Sequence, residues 1–290
     1  MNKSYQLFAL IAVVISMSFS LSAQKKDAYV IYNKKGRKVS YKKMLKSVAK
    51  SDVTLFGEYH NNPICHWLEL ELAIDLLAKE KNLVLGAEMI ETDNQEVLDA
   101  YLDGNLDSEG LDSMARLWSN YETDYAPIVD FAKANSIKFI GTNIPRRFAS
   151  MVYKEGGFSA LDSLADHEYE WIAPLPILFD ATLSQYEEML KMMEGHGSDD
   201  IVKAQAIKDA TMAHFISSNY QDGYCFLHYN GTFHSDFYQG ILWYLQQRSP
   251  TLSYTTISTV EQSDIYSLDK ENIGRADFII CIDAEMTKTY

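Results

Sequence analysis

Four titratable side chains in this sequence follow short apolar runs, and their types suit metal binding or acid–base chemistry. Glu58 and His60 follow the apolar residues 53–56. Glu88 follows a second apolar run, and His234 follows a third. Two carboxylates with two imidazoles suit a borderline divalent metal such as zinc, manganese or iron, with water in the open positions. A Glu and a His that share one water could also act as the general base of ester hydrolysis.

Buried strands and the loops that follow them are expected to position these side chains. The residues at 53–56 are apolar or β-branched, which predicts a buried strand, and two asparagines and a proline then open a helix predicted from about 63 to about 81. Further strands are predicted at 83–87 and 224–229. The carboxyl ends of parallel strands form the ligand-binding edge of an open α/β sheet, so we expect the four side chains to converge in one pocket. The predicted fold is α/β, a mainly parallel sheet flanked by helices, with a smaller inserted helical lobe at about 147–220.

A purely structural role for the same four residues is the competing interpretation. Polar groups at buried strand ends need partners merely to fold, and a satisfied network of this kind would hold the loops in place. The residues alone leave both interpretations open. Motifs of other hydrolase classes are absent from the sequence, which has no Gly-x-Ser-x-Gly, no His-Glu-x-x-His and no Gly-rich phosphate loop.

A series of short motifs runs in order between residues 51 and 244. Its members are Gly57-Glu58-Tyr59-His60 with His66, Glu88-Met89, Gln95 with 98–104, the aromatic segment 118–127, Asn143-Ile144-Pro145-Arg146, the segment 205–213, and Gly231-Thr232-Phe233-His234. In this order they resemble the ChaN family of haem-binding uptake proteins, within the wider Tiki/TraB/erythromycin-esterase-like superfamily. The specificity of the resemblance lies in the ordered series rather than in any single motif.

The resemblance implies a haem-binding protein involved in haem or iron uptake, rather than an enzyme. It implies a homodimer with haems stacked between the subunits, the iron held by a tyrosine and the propionates contacted by histidine. An outer-membrane haem or iron uptake receptor is the partner that such a role suggests. The alternative function is a metal-dependent hydrolase, a protease or an esterase, that uses the Glu/His set described above.

Candidate haem ligands lie within or beside the matched motifs. The candidate tyrosines are Tyr59, Tyr121, Tyr125 and Tyr229. We favour Tyr121 and Tyr125, because phenolate is a hard donor for ferric iron and neighbouring aromatic rings can pack on a porphyrin. Arg146 follows the third predicted strand at an expected helix start, which is a suitable place for an anionic propionate.

The amino-terminal residues predict export. Lys3 precedes an apolar run at 7–19, and the small residues at 20–23 lead into a polar segment. This pattern is typical of a secretory signal peptide that is cleaved after Ala23, so that residues 24–290 form the mature domain in the periplasm or cell envelope. No later segment is apolar and long enough to span a bilayer.

Charge and cysteine content exclude several other classes of function. The formal net charge of −14 disfavours nucleic acid as a partner, because a phosphate backbone is repelled by such a surface. Cys65, Cys225 and Cys281 are too few and too scattered for a disulfide framework or a zinc knuckle. Cys225 and Cys281 lie in predicted strands, where we expect them to pack as small apolar residues.

Overall fold

The computed structural model describes residues 26–79, 81–193 and 199–290. The predicted signal peptide at 1–23 lies outside these residues. The strands are β1 (Tyr29–Asn33), β2 (Lys38–Val39), β3 (Val53–Glu58), β4 (Asn82–Glu91), β5 (Lys138–Asn143), β6 (Tyr224–Gly231), β7 (Tyr254–Gln262) and β8 (Phe278–Asp283). The helices are α1 (Tyr41–Val48), α2 (Pro63–Leu77), α3 (Gln95–Leu102), α4 (Ser108–Met114), α5 (Ala126–Ala134), α6 (Arg146–Lys154), α7 (Ser184–Met192), α8 (Asp200–Asn219) and α9 (Ile241–Arg248).

One sheet, in the order β2-β1-β8-β7-β3-β6-β4-β5, organises the described part of the chain. The six strands from β8 to β5 run parallel to one another. The β1–β2 hairpin adds two antiparallel strands at one edge through β8. This arrangement confirms the predicted α/β fold with a mainly parallel sheet.

The apolar sequence of β3 follows from its position in the sheet. All six residues of β3 are buried, without the alternation of a half-exposed strand. Helices cover both faces, as is usual for parallel sheets. Phe56 packs in the core on the side of α2 and α5, whereas Val53 and Leu55 pack in the core on the side of α8 and α9.

Two element boundaries differ from those expected from the sequence. The second core strand was expected at 83–87, but β4 extends to Glu91, with a register irregularity against β5 between Ala87 and Glu91. Glu88 therefore belongs to the strand rather than to a loop after it. Helix α2 begins at Pro63, as expected, with the Asn62 side chain accepting a hydrogen bond from the Ile64 backbone N–H, and it ends at Leu77.

The segment between β5 and β6 is mostly helical in its described part, with α6, α7, α8 and two 3-10 helices, and residues 172–183 form an irregular connection. Helix α8 packs directly on the sheet, because Ala210, Met212 and Ile216 lie in the same core as Val53 and Phe226. It is therefore part of the main core, and it can carry side chains to the edge of the sheet. Within the described ranges, no helix has both the length and the apolar character needed to cross a membrane.

Candidate functional site

The four side chains singled out in the sequence lie together at the carboxyl edge of the sheet. His60 Nδ1 is 2.7 Å from Glu58 Oε1, and His234 Nε2 is 3.1 Å from Glu88 Oε1. Gly231 lies between these two pairs, since a Cβ added there would come within 2.8 Å of His60 Nε2 and 3.5 Å of Glu88 Oε2. The two Glu/His pairs are therefore neighbours in one histidine–carboxylate site.

Strand order explains why these residues converge. Glu58 ends β3 and is in register with Gly231, which ends β6. Strand β4 lies on the other side of β6, so that Glu88 reaches the same edge. The Gly231 backbone N–H donates a hydrogen bond to Glu88 Oε2 at 2.7 Å, which fixes the position of the carboxylate.

Two residues of helix α8 contact His234 and so belong to the site. Asp209 Oδ1 lies 2.5 Å from His234 Nδ1, and Gln205 Nε2 lies 2.9 Å from the same nitrogen. The Tyr186 hydroxyl donates to Asp209 Oδ2 at 2.9 Å. The segment 205–213 belongs to the motif series in the sequence, but the sequence assigned no role to Asp209. The signal was the four-residue spacing of Gln205 and Asp209, which puts both on one face of a helix.

The charges of the Glu88–His234 pair are fixed by mutual attraction. Burial alone would lower the pKa of His234, but Glu88 and Asp209 outweigh it and raise the pKa to about 10. Burial alone would raise the pKa of Glu88, but His234 and His60 hold it well below its usual value. His234 is therefore an imidazolium at neutral pH and is a poor general base there.

Glu58 and His60 form the second pair, and His60 is its accessible member. Burial opposes ionisation of Glu58, but contacts with His60 and His66 lower its pKa to about 2. The Tyr125 hydroxyl donates to Glu58 Oε1 at 2.9 Å. The His60 side chain is 32% exposed, compared with 0% for Glu58 and 7% for both Glu88 and His234. A ligand that approaches the site therefore meets His60 first.

The predicted metal role of these four residues stays a prediction. Among the described residues, the group whose ligand atoms all lie within 4.8 Å of one another consists of Glu58, His66 and Glu69. This group shares only Glu58 with the predicted set.

The four candidate tyrosines lie in different surroundings. Tyr125 and Tyr229 are buried, and the Tyr229 hydroxyl donates to the Glu69 carbonyl at 3.4 Å. Tyr59 and Tyr121 are partly buried against the core. Burial, together with Tyr101 and Asp130, raises the pKa of Tyr121. The assignment of Tyr121 or Tyr125 as the iron ligand stays a prediction.

A wide cavity opens beside the histidine–carboxylate site. Its volume is about 780 Å³, which lies in the range of ligand pockets. We call it the arginine cavity, and its lining residues are Glu91, Arg116, Leu117, Trp118, Ser119, Asn120, Arg146, Arg147, Ser150 and Tyr290. The Trp118 and His60 rings meet edge to face with centroids 4.8 Å apart, so this cavity reaches the site.

Two of the three arginines are held by carboxylates. Arg147 Nη1 lies 2.6 Å from Asp93 Oδ2, and Arg116 pairs with both Asp93 and Glu91. Arg146 is exposed and makes no ion pair within the described ranges. Within the described ranges, its guanidinium therefore remains able to donate hydrogen bonds to a ligand in the cavity.

The cavity also contains a tyrosine that the sequence did not single out. Tyr290 lies in its wall and is 66% exposed. None of the four candidate tyrosines is among the described residues that line the cavity. Tyr290 lies outside the ordered motif series, so the sequence offered no signal for it.

A family model and several solved structures match this chain. The family model described as "Haem-binding uptake, Tiki superfamily, ChaN" matches residues 44–245. Among solved structures, ChaN of Campylobacter jejuni with cofacial haem superimposes with a TM-score of 0.67 at 16% identity, covering 90% of this chain and 99% of that one. A Bacillus cereus protein superimposes with a TM-score of 0.50 at 11% identity, covering 83% of this chain and 90% of that one. At these identities the structural likeness concerns the fold alone.

A curated relative matches over a shorter span. The Arabidopsis thaliana protein RETICULATA-RELATED 5, chloroplastic, is 26% identical over 171 residues. The match covers 54% of this chain and 23% of that protein's length.

Proposed function

Because the chain belongs to the haem-binding uptake family, ChaN, of the Tiki superfamily, we propose that it binds haem in the arginine cavity. The observation that carries this proposal is the composition of the cavity wall, in which Arg116, Arg146 and Arg147 accompany Trp118. Haem presents two carboxylates on a flat apolar ring. Guanidinium groups bind carboxylates through charge-assisted hydrogen bonds, and an indole packs on a flat aromatic ring.

The residues of the cavity suit distinct parts of haem. Arg146, which is exposed and unpaired in the described ranges, would bind a propionate. His60, which touches Trp118, offers a second contact for a propionate. Bound haem would supply a ferric iron, for which a phenolate is a suitable ligand, and Tyr290 is the tyrosine among the described residues of the cavity wall.

Binding is favoured over hydrolysis by the state of the histidines. Without a bound metal ion, His234 lies between Glu88 and Asp209 and is held as an imidazolium, so it does not suit the role of a base that activates water. His60 is the accessible histidine, and its Nδ1 contacts Glu58. Arg146, which has no carboxylate partner within the described ranges, suits capture of an anionic ligand in the cavity.

Titration of the purified protein with haemin tests the proposal. We expect a saturable shift of the Soret band. Arg146→Met should weaken binding by about tenfold to a hundredfold, because a hydrogen bond to a charged group contributes about 1.5–3 kcal/mol. Lys154→Met is the matched control, since Lys154 is an exposed cation at the far end of the same helix α6. An absent Soret shift, or equal weakening by both variants, would contradict the proposal.

The iron ligand is tested by a series of Tyr→Phe variants. Loss of a ligating phenolate should remove the phenolate-to-iron charge-transfer band and leave the thermal midpoint nearly unchanged. We would compare Tyr290→Phe with the variants of the sequence candidates, which are Tyr59, Tyr121, Tyr125 and Tyr229. A band that survives in every variant would exclude tyrosine ligation.

We also propose that the protein is exported and acts in haem or iron uptake at the cell envelope. The apolar run at 7–19 and the small residues that follow it support export. Amino-terminal sequencing of protein from the periplasmic fraction should begin near Gln24. Recovery of protein from the membrane fraction with residues 1–23 intact would contradict this part of the proposal.

A further inference from the structure

A buried group of three side chains lies behind the histidine–carboxylate site. Glu58, His66 and Glu69 are 1%, 9% and 2% exposed. We call this group the buried triad. Each of its members offers one ligand atom, and these atoms all lie within 4.8 Å of one another. Glu88 and His234 are not part of it.

The sequence brings the triad together through the start of α2. His66 and Glu69 are three residues apart, so they project from the same face of the helix. The Asn62 cap fixes the beginning of α2 beside the end of β3, where Glu58 lies. Trp67, between the two triad residues, is 48% exposed, which is consistent with an inward orientation of its neighbours.

Several polar atoms of the triad make no hydrogen bond of good geometry within the described ranges, although His66 Nδ1 lies within ion-pair distance of both carboxylates. These atoms are Glu58 Oε2, Glu69 Oε1 and both ring nitrogens of His66. Buried polar groups in native proteins are almost always paired. Two carboxylates at one buried position also repel each other. A bound cation would satisfy these atoms and relieve that repulsion.

The separations within the triad match those of neighbouring metal ligands. His66 Nδ1 lies 3.0 Å from Glu58 Oε2 and 3.5 Å from Glu69 Oε2. Zinc bonds of about 2.0–2.1 Å in a tetrahedral arrangement put ligand atoms about 3.3 Å apart. The triad could therefore close around an ion without a large movement of the backbone.

Outer partners orient the triad residues in the way that metal ligands are usually oriented. His66 Nε2 lies 3.5 Å from Asp124 Oδ2, and a carboxylate behind a ligating histidine is a common feature of metal sites. Asp124 accepts hydrogen bonds from Asn120 and Thr289. Glu58 Oε1 is held by the Tyr125 hydroxyl, which leaves Oε2 to face the triad.

We propose that Glu58, His66 and Glu69 bind one divalent first-row transition-metal ion. Two carboxylates and one imidazole are ligands suited to Zn²⁺, Mn²⁺ or Fe²⁺. The ion would join α2 to the end of β3 and so hold the loop that carries His60. The site does not depend on haem binding, and it lies outside the arginine cavity. The competing explanation is a network held together by protons alone, which would need no metal.

Zinc binding by the chelator-treated full chain tests this site. Equilibrium dialysis with Zn²⁺, followed by elemental analysis, should give one ion per chain. Glu69→Gln removes a ligand while keeping the side-chain size, and it should weaken binding by about tenfold or more, as should His66→Gln. Glu71→Gln is the matched control, because it makes the same substitution on the same helix outside the triad. This control should bind zinc like the parent protein.

A variant could bind zinc poorly because it is unfolded rather than because a ligand is missing. Thermal unfolding with and without Zn²⁺ separates these two explanations. Zn²⁺ should raise the thermal midpoint of the parent and of Glu71→Gln, but not that of a folded Glu69→Gln, because only a site in the native state stabilises it. The same dialysis would be repeated with Mn²⁺. No stoichiometric uptake of either ion by the parent would overturn the proposal. Loss of zinc in Glu88→Gln with full retention in Glu69→Gln would overturn it too, because the ion would then lie in the histidine–carboxylate site.

Discussion

Glu58 is the residue at which the two polar clusters meet. Its Oε1 atom contacts His60 and accepts a hydrogen bond from Tyr125, whereas its Oε2 atom lies 3.0 Å from His66 Nδ1. One buried carboxylate thus connects the accessible His60 with the buried triad. Any change in its charge must alter both clusters, because one of its oxygens contacts His60 and the other contacts His66.

Tyr125→Phe should lower stability without changing the haem spectrum. The Tyr125 hydroxyl is buried and donates to an ionised carboxylate, so its loss should cost about 1.5–3 kcal/mol in the free energy of unfolding. Burial and the nearby Glu58 and Glu69 raise the pKa of Tyr125, which disfavours a phenolate there. Urea denaturation and a haemin titration would measure the two effects.

Tyr220→Phe is the control for this prediction. The Tyr220 hydroxyl donates to Asp52 at 2.9 Å in a more exposed position, so we expect a smaller cost of about 1 kcal/mol or less. Loss of the charge-transfer band in Tyr125→Phe would instead identify Tyr125 as the iron ligand.

His228 should make stability decline in mild acid. Burial lowers its pKa from 6.5 to about 4, and the neutral ring fits its position between Thr142 and Asn230. Between pH 4 and pH 6.5, His228 is protonated in the unfolded chain but neutral in the folded protein. Stability from this residue is therefore complete above pH 6.5 and falls as the pH drops toward 4. The loss at pH 5 should be about 2 kcal/mol.

Urea denaturation at pH 7 and pH 5 measures this loss. In His228→Gln the difference between the two pH values should shrink by about 2 kcal/mol relative to the parent. The exposed His167→Gln should leave the difference unchanged. An unaltered pH dependence in His228→Gln would show that the ring is not buried in its neutral form.

At the scale of elements, the strand ends were the part of the site that the sequence predicted best. The apolar runs before Glu58, Glu88 and His234 identified strand ends at one edge of a parallel sheet, and physical rules for such sheets then predicted convergence. The triad was not predictable in this way. Its residues His66 and Glu69 lie on a helix that is apolar around most of its circumference, so their spacing does not stand out.

The arginine cavity was the least predictable part of the site. Arg116 lies in an irregular segment after α4 and Arg146 at the start of α6, and both line the same cavity. Arg146 was singled out as a ligand for an anion, but Tyr290 was not, because only tertiary structure brings it to the cavity wall. Side chains on irregular segments have no periodic signal in the sequence.

The motif Gly231-Thr232-Phe233-His234 needs its glycine because the His60 ring lies close to the Gly231 backbone. A Cβ on Gly231 would lie 2.8 Å from His60 Nε2, and His60 is held by Glu58. Gly231→Ala should therefore cost about 1–3 kcal/mol in the free energy of unfolding. In a His60→Ala background the added cost should be smaller by at least about 0.5 kcal/mol, because the clash partner is gone.

A double-mutant cycle measures this coupling directly. Chemical denaturation of the parent, both single variants and the double variant gives the interaction free energy. Strictly additive effects would show that His60 does not occupy the space beside Gly231.

At the scale of the whole molecule, we expect haem to join two copies of the chain. The proposed haem cavity is open at the surface, and stacking of two flat rings would bury apolar area that one chain leaves in water. Light scattering during a haemin titration should show the mass rising from one chain to two as haem saturates. Arg146→Met should shift this rise to higher haem concentration. A mass of one chain at saturation would contradict the dimer.

The order of strands in the sheet also bears on how the chain reaches its native state. Strand β3 is made early, but both of its neighbours, β6 and β7, come near the other end of the sequence. A ribosome must therefore complete most of the polypeptide before the central strand can pair, and contacts between such distant segments form slowly. Until then the apolar residues of β3 remain open to chaperones. We propose that the protein is exported, and the late pairing of β3 with β6 and β7 would help to keep the chain unfolded until it has crossed the membrane.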